Sequence, residues 1–165
     1  MDGGDGNDWI DVTYVIYQPK VNTTVIHGGA GDDIIQVARW GNAAIAATGG
    51  EGADIYQLFS TSRLDTLTIK DFVAGAGGDR IGVRALFTAG MRATDPYAAG
   101  VLLLVKNGAS TMIALDLDGK AGPDTGFVLA TVENVTAAAI KDSIVYLDAA
   151  PVALVGQAPG AAWLV

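Results

Sequence analysis

A glycine-rich acidic hexapeptide, Gly-Gly-x-Gly-x-Asp, occurs three times in the first third of the sequence and constrains the fold more than any other feature. The copies are GGDGND from Gly3, GGAGDD from Gly28 and GGEGAD from Gly49. Glycine costs conformational entropy, so three glycines in six residues indicate a backbone that needs positive φ or a very close approach to another group. The neighbouring aspartate indicates that this group is a cation.

The spacing of the hexapeptides predicts a flattened solenoid. Successive copies start 25 and 21 residues apart, and each is followed by a run rich in β-branched and aromatic residues. Two strands of about five residues and two tight turns fill such an interval, whereas a βαβ unit needs about 30 residues. The second residue after each hexapeptide should point inward and the first should point outward. The inward set is Ile10, Ile35 and Tyr56, and the outward set is Trp9, Ile34 and Ile55.

Composition narrows the possible partners. The net charge is −8, which argues against nucleic acid and anionic membrane surfaces and is compatible with divalent cations. Glu51 and Glu133 are the two glutamates among 18 acidic residues, and the remaining aspartates suit turns, where ion sites are built. There is no cysteine, hence no disulfide. We predict no cleavable signal peptide and no membrane insertion, because no basic segment precedes an apolar one and no apolar run is long enough.

Catalytic motifs are not found. The sequence has neither a phosphate-binding Gly-x-x-x-x-Gly-Lys-[Ser/Thr] loop nor a Gly-x-Ser-x-Gly elbow, and its single histidine, His27, directly precedes a hexapeptide. We therefore expect a protein that is not an enzyme. Asp116, Asp118 and Asp124 imitate a calcium loop but lack the fifth- and twelfth-position acids of an EF-hand. A plain Asp-Gly hairpin turn is favoured there, and ion binding stays open.

Extended by three residues, the hexapeptides resemble the calcium-binding nonapeptide Gly-Gly-x-Gly-x-Asp-x-U-x of RTX proteins. They read GGDGNDWID, GGAGDDIIQ and GGEGADIYQ. Two later segments also resemble the ending of RTX proteins exported by type I secretion: LTIKDFVAGAGGDRIGVRALFTAG and MIALDLDGKAGPDTGFVLATVENVTAAAI. The resemblance covers about residues 2–148.

The resemblance implies an all-β fold built around a right-handed parallel β-roll. It divides the chain into a calcium-binding roll over 1–72, a β-rich capping region with a short helix over 73–148, and an apolar tail over 149–165 that would act as an export signal. The helix is expected in RALFTAG, residues 84–90. Family repeats usually follow one another every nine residues and bind calcium on both edges. The opposite turns here lack the motif, so we expect a one-sided ladder of ions.

Two or three calcium ions are implied, each bound between successive hexapeptides. In the family, the earlier turn supplies positions two, four and six, and the later turn supplies positions one, three and six. The first site would use Gly4, Gly6 and Asp8 with Gly28, Ala30 and Asp33. The second would use Gly29, Gly31 and Asp33 with Gly49, Glu51 and Asp54. A third half-site of Gly50, Gly52 and Asp54 needs a closing ligand, for which Asp71 is the candidate and Asp65 a weaker one.

The resemblance implies the calcium-binding C-terminal module of a larger protein, exported from a Gram-negative bacterium to the medium or the cell surface. The type I secretion apparatus would be its partner through the C-terminal region. One alternative is a surface-layer or adhesin module that assembles on calcium, with self-association. Another is a carbohydrate-binding module of an extracellular polysaccharide-modifying enzyme, for which Lys20, Arg39, Trp40 and Arg63 are scattered candidates.

Overall fold

The computed structural model describes residues 1–15, 23–40, 44–58, 66–84, 95–123 and 126–147. These residues are mostly β. The strands are β1 (Asp2–Asp5), β2 (Trp9–Val15), β3 (Thr23–Ala30), β4 (Ile34–Trp40), β5 (Ala44–Glu51), β6 (Ile55–Leu58), β7 (Thr66–Ile69), β8 (Arg80–Arg84), β9 (Leu102–Asn107), β10 (Ser110–Leu115), β11 (Phe127–Val132) and β12 (Ile144–Leu147). Helix α1 spans Ala137–Ser143, and Gly119–Ala121 form a 3₁₀ turn.

The strands form two sheets that the chain visits alternately. The first sheet has the order β1-β3-β5-β7-β11-β10-β9, and the second has the order β12-β8-β6-β4-β2. Neighbours in the second sheet are parallel throughout. The first sheet is parallel from β1 to β11 and antiparallel from β11 to β9. From β1 to β8, neighbouring strands within a sheet are every second strand of the chain, and they run parallel. Each coil of the chain must therefore cross once through both sheets before it returns beside its previous strand.

The register places equivalent residues of successive hexapeptides beside one another. Gly4 pairs with Gly29, and Gly29 pairs with Gly50. In the second sheet, the inward residues Ile10, Ile35 and Tyr56 pair in the same way. A single-residue slip would turn every side chain to the other face. The alternation after each hexapeptide therefore fixes the stacking of the glycine turns above it.

In the described part of the chain, one apolar core lies between the two sheets. It contains the predicted inward residues and the inner faces of both sheets, in a cluster of buried side chains that includes Ile26, Ile45, Ile69, Ile81, Leu102, Ile113, Leu115 and Val132. The outward positions are not simply exposed. Ile34 is inaccessible, and Trp9 and Ile55 are partly buried. The outer face of the second sheet is thus covered near the glycine turns.

The later part of the chain continues both sheets across the predicted boundary at residue 72. β8 pairs with β6, and β11 pairs with β7. The only α-helix in the described part is α1, which sequence reasoning missed although Thr136 is a recognisable N-cap whose side chain accepts from Ala139 N at 3.4 Å. Of the helix predicted over 84–90, Arg84 belongs to β8 and the other residues lie outside the described ones.

The predicted tail over 149–165 also lies outside the described residues, as does Asp65. Among the residues that are described, no helix is long and apolar enough to cross a membrane.

Candidate cation-binding turns

The hexapeptides form three stacked turns at one edge of the two sheets. In each, the second and fourth residues are glycines with positive φ, between 97° at Gly4 and 129° at Gly52. Other residues adopt this backbone only with strain. Gly31 and Gly29 have no room for a side chain either, because a β-carbon would meet the carbonyl oxygens of Gly6 and Gly4. The glycines are thus required both for conformation and for close stacking.

The peptide groups of successive turns point at one another. Carbonyl oxygens at positions two and four, such as Gly4 O and Gly6 O, lie against the following turn. Carbonyl oxygens at positions one and three point back. Gly28 O lies against Gly3, and Ala30 O accepts from Gly6 N at 2.7 Å. Each gap between turns is therefore lined by carbonyl oxygens from both sides.

The second gap repeats the arrangement of the first. Gly29 O and Gly31 O lie against Gly50 and Gly52, and Gly49 O points back against Gly28. Glu51 O accepts from Gly31 N at 2.7 Å. A carbonyl oxygen has two lone pairs, so an oxygen that already accepts one N–H can still contact a cation.

The sixth-position aspartates form a ladder of hydrogen bonds across the turns. Asp8 N donates to Asp33 Oδ1 at 2.8 Å, Asp33 N to Asp54 Oδ1 at 2.9 Å, and Asp54 N to Asp79 Oδ1 at 3.0 Å. Each amide thus donates to the carboxylate of the next coil. The ladder ends where Val73 N donates to Asp79 Oδ2 at 2.8 Å.

The second carboxylate oxygen of three ladder members has no partner. Oδ2 of Asp8, Asp33 and Asp54 is buried without a hydrogen bond, and Asp33 and Asp54 are almost completely inaccessible. Asp8 Oδ2 lies beside Gly28 O at Gly3, and Asp33 Oδ2 lies beside Gly49 O at Gly28. Buried, unpaired carboxylate oxygens are costly, and those of Asp8 and Asp33 lie next to carbonyl oxygens that cannot donate. Such a set of oxygens has the chemistry to bind a cation.

The pKa values of the ladder aspartates also indicate carboxylates that would be stabilised by a cation. The pKa of Asp54 is raised to about 6, mainly by burial and also by the nearby carboxylates of Asp79, Asp33 and Asp71, while the Asp33 N–H lowers it. Burial also raises the pKa of Asp33, against the lowering effect of the Asp8 N–H. The pKa of Asp79 is raised mainly by burial as well. Without a cation the carboxylates are thus held together at an electrostatic cost.

At the far side of the third hexapeptide, side chains instead of a further glycine turn contact the backbone. β7 leaves the sheet after Lys70 N donates to Ala47 O at 2.9 Å, so no fourth glycine turn covers Gly49 and Gly50. Asp71 covers them instead. Its Oδ1 accepts from Gly49 N at 3.1 Å and its Oδ2 from Gly50 N at 3.0 Å. The structure thus brings Asp71 to the third half-site, where its assignment as a calcium ligand stays a prediction.

Tyr56 completes this side of the third hexapeptide. Its hydroxyl donates to Asp71 Oδ1 at 3.0 Å, and both the hydroxyl and Asp54 Oδ2 lie where a β-carbon on Gly49 would be. The pKa of Tyr56 is raised, first by burial and then by the charges of Asp71 and Asp79. A phenol hydroxyl therefore stands where the first two gaps have a glycine carbonyl.

Asp79 is the ladder member that sequence reasoning missed as a site residue. It ends the segment AGAGGD, which departs from the hexapeptide only at Ala74. A search that tolerated one mismatch would have found it. The segment does not stack as a fourth turn, since Gly75 and Gly77 have open space around them. It contributes its aspartate to the ladder without its glycines.

The oxygen atoms between the hexapeptides have the chemistry of a hard-cation site. Within the described ranges, no cluster of three or more His, Cys, Asp or Glu side chains could hold a metal by side chains alone. The gaps between hexapeptides instead combine two carboxylates with several carbonyl oxygens. Calcium accepts six to eight such oxygens in a tolerant geometry, so the residues present fit that ion.

Comparisons with known proteins add no identification. No protein-family model matches the chain, and no curated protein matches its sequence.

Proposed function

We propose that the chain is a calcium-binding module of the RTX type, which folds on calcium outside the cell as part of a larger exported protein. The observation that carries the proposal is the set of buried, unpartnered Oδ2 atoms of Asp8, Asp33 and Asp54, of which the first two lie beside glycine carbonyl oxygens. Binding free energy would become folding free energy, because the carboxylates repel one another until an ion neutralises them.

We further propose that the two sheets form a parallel β-roll. Parallel pairing of alternate strands and stacked glycine turns support a parallel β-roll, which β9 to β11 extend as an antiparallel cap. Ions would lie only at the edge of the hexapeptides, one in each of the two gaps and a third near Asp54 and Asp71. Solenoids need such a cap over their last apolar layer.

The proposal is tested by circular dichroism of the full chain with chelator, with calcium and with magnesium. We expect weak β signal in chelator and a cooperative gain at millimolar calcium. Magnesium should substitute poorly because it demands a tight octahedral shell and gives up water reluctantly. Identical spectra in chelator and in calcium would refute calcium-driven folding.

Export is proposed from the sequence resemblance of the C-terminal region, and it has a separate test. Removing residues 149–165 should abolish export in a type I secretion assay while leaving the calcium-induced β signal nearly unchanged. A shortened chain that is still exported would reject the role of the tail as a signal without affecting the calcium sites. A shortened chain that no longer folds on calcium would instead assign the tail a structural role.

A further inference from the structure

The loop of residues 116–122 lies outside the stacked hexapeptides. Like the hexapeptides, it contains a buried carboxylate with one oxygen that has no hydrogen-bond partner. Asp116 follows β10, and its side chain is only 8% exposed. The backbone N–H groups of Asp118 and Gly119 donate to its carboxylate, whereas its Oδ1 is buried and has no hydrogen-bond partner. Asp33 and Asp54 share this combination of an N–H bonded to the carboxylate and one buried oxygen without a partner.

A second carboxyl group lies directly against the first. The Asp116 and Asp118 carboxyl groups are within hydrogen-bonding distance of each other, and this contact, followed by burial, raises the pKa of Asp116. Gly122 has no room for a side chain because the Asp118 carboxyl group occupies the space. Two adjacent carboxylates repel each other unless a proton or a cation neutralises one of them. The loop thus places the buried, unpartnered Oδ1 of Asp116 close to a second acid, where a cation would be stabilised.

The backbone around the pair is anchored by contacts of its own. Asp116 N donates to Val101 O at 2.8 Å, and Lys120 N donates to Ala99 O at 3.2 Å. Gly119 has a φ of 64°, which lets the chain reverse immediately after Asp118. These bonds connect the loop to the segment before β9, and they involve none of the stacked hexapeptides. The pair is therefore held in place independently of the glycine turns.

We propose that Asp116 and Asp118 form a second kind of divalent-cation site, in which their carboxylates supply the charged ligands and loop carbonyl oxygens and water complete the shell. The sequence favoured a plain turn because the further acids of an EF-hand are missing. The buried, unpartnered oxygen of Asp116 favours an ion-binding loop over a plain turn. Calcium suits an irregular loop better than magnesium does, and two acidic ligands place the dissociation constant near the ~10⁻⁴–10⁻³ M of extracellular calcium modules.

The test uses amide resonances of the full chain, first folded in enough calcium to give its complete β signal. Further calcium is added, with sodium chloride at matched ionic strength as the comparison. We expect the Gly119 resonance to keep shifting saturably above the calcium concentration that completes the β signal, with a midpoint at the weak end of that range, ~1 mM or higher. Asp118→Asn should raise that midpoint about tenfold by removing one of two charged ligands. Asp118 is exposed, so the variant should fold.

Asp142→Asn is the matched control, since Asp142 is an exposed acid on α1. It should leave the midpoint unchanged. A Gly119 resonance that ignores calcium, follows sodium chloride equally, or titrates identically in Asp118→Asn would overturn the proposal. The proposed function fails through a different measurement. Identical circular dichroism in chelator and in calcium, beside a Gly119 resonance that responds to calcium, would reject the proposed function and leave the loop site standing.

Discussion

The backbone of each hexapeptide is covered on its far side, but by different groups in two regions of the molecule: the gaps between hexapeptides and the far side of the third hexapeptide. In the first two gaps, backbone faces backbone, with glycine carbonyl oxygens from both sides. Beyond the third hexapeptide, Asp71 accepts the two glycine N–H groups and Tyr56 supplies a hydroxyl. Backbone closure can be repeated coil after coil, whereas side-chain closure ends the stack.

This difference separates two kinds of sensitivity. The backbone gaps depend on the absence of side chains, because adjacent turns leave no space for a β-carbon. The side-chain closure depends on particular functional groups, while Gly75 and Gly77 of the loop that carries Asp79 have open surroundings. Substitutions should therefore harm the two regions through different mechanisms.

The largest effect is expected from glycine substitution inside a gap. Gly31→Ala would place a β-carbon 2.6 Å from Gly6 O, whereas Gly6→Ala would meet nothing within 4 Å. Both glycines occupy position four with positive φ, 126° and 104°, so the backbone strain is matched. Gly31→Ala should lower the free energy of unfolding in calcium by about 1–3 kcal/mol more than Gly6→Ala. Urea unfolding measures this difference, and equal losses would show that cross-turn packing is unimportant.

Next in size is the contrast between two ladder aspartates. Asp33→Ala removes a carboxylate that faces both gaps and leaves Asp8 N without its acceptor. The amide is part-buried, and losing its acceptor costs up to about 1–3 kcal/mol, so calcium affinity should fall roughly tenfold or more below that of Asp8→Ala. Calorimetric calcium titration of both variants measures this. If Asp8→Ala proves the weaker binder, the assignment of two gaps to Asp33 is wrong.

The pH dependence should change sign with calcium. In chelator, Asp54 has a folded pKa of about 6, raised from 3.8, so its contribution to stability is present below pH 3.8 and is lost as pH rises through 6. Mild acid should therefore increase the β signal in chelator. In calcium, protons compete with the ion for the same oxygens, and acid should lower calcium affinity. Circular dichroism from pH 4 to pH 7 in both conditions tests this, and parallel curves would contradict it.

The smallest effect is expected where side chains close the stack. Tyr56→Phe removes the hydroxyl that donates to Asp71 but keeps the buried ring against Phe72, 6.1 Å away between centroids. The loss should be about 1 kcal/mol, and amide shifts should be confined to the third hexapeptide and Asp71. Shifts of similar size at Gly4 would indicate that the two regions are not separable.

In the repeating part, the sequence predicted the strands after each hexapeptide and their inward residues, because each repeat predicts both a strand and the equivalent strand that pairs with it. A glycine turn followed by alternating Ile10, Ile35 or Tyr56 predicts both the strand and its neighbour. The non-repeating part offers no such redundancy. Helix α1 was missed since AAAIKD is short and follows a strand-like run, and burial of Ile34 depends on what covers the sheet. Asp79 was overlooked because Ala74 breaks the motif.

The candidate site shows the same limit at the scale of single atoms. Spacing placed Asp8, Asp33 and Asp54 in one column, and the structure pairs their coils accordingly. Which carboxylate oxygen accepts an amide and which stays unpaired could not come from spacing. That division depends on the backbone of the neighbouring coil. The role of the Tyr56 hydroxyl was hidden for a related reason, because an inward position predicts only apolar burial.

The ladder also has a consequence for how such a chain can change length over evolution. Its members, Asp8, Asp33, Asp54 and Asp79, are separated by 25, 21 and 25 residues, yet the hydrogen bonds between them differ by only 0.2 Å. In each inner coil the aspartate carboxylate accepts an N–H from the preceding coil, and the aspartate N–H donates to the carboxylate of the following coil. Differences in coil length are therefore accommodated away from this edge. Duplicating or deleting one coil would leave every remaining donor with an acceptor, and the stack could grow or shrink in whole units.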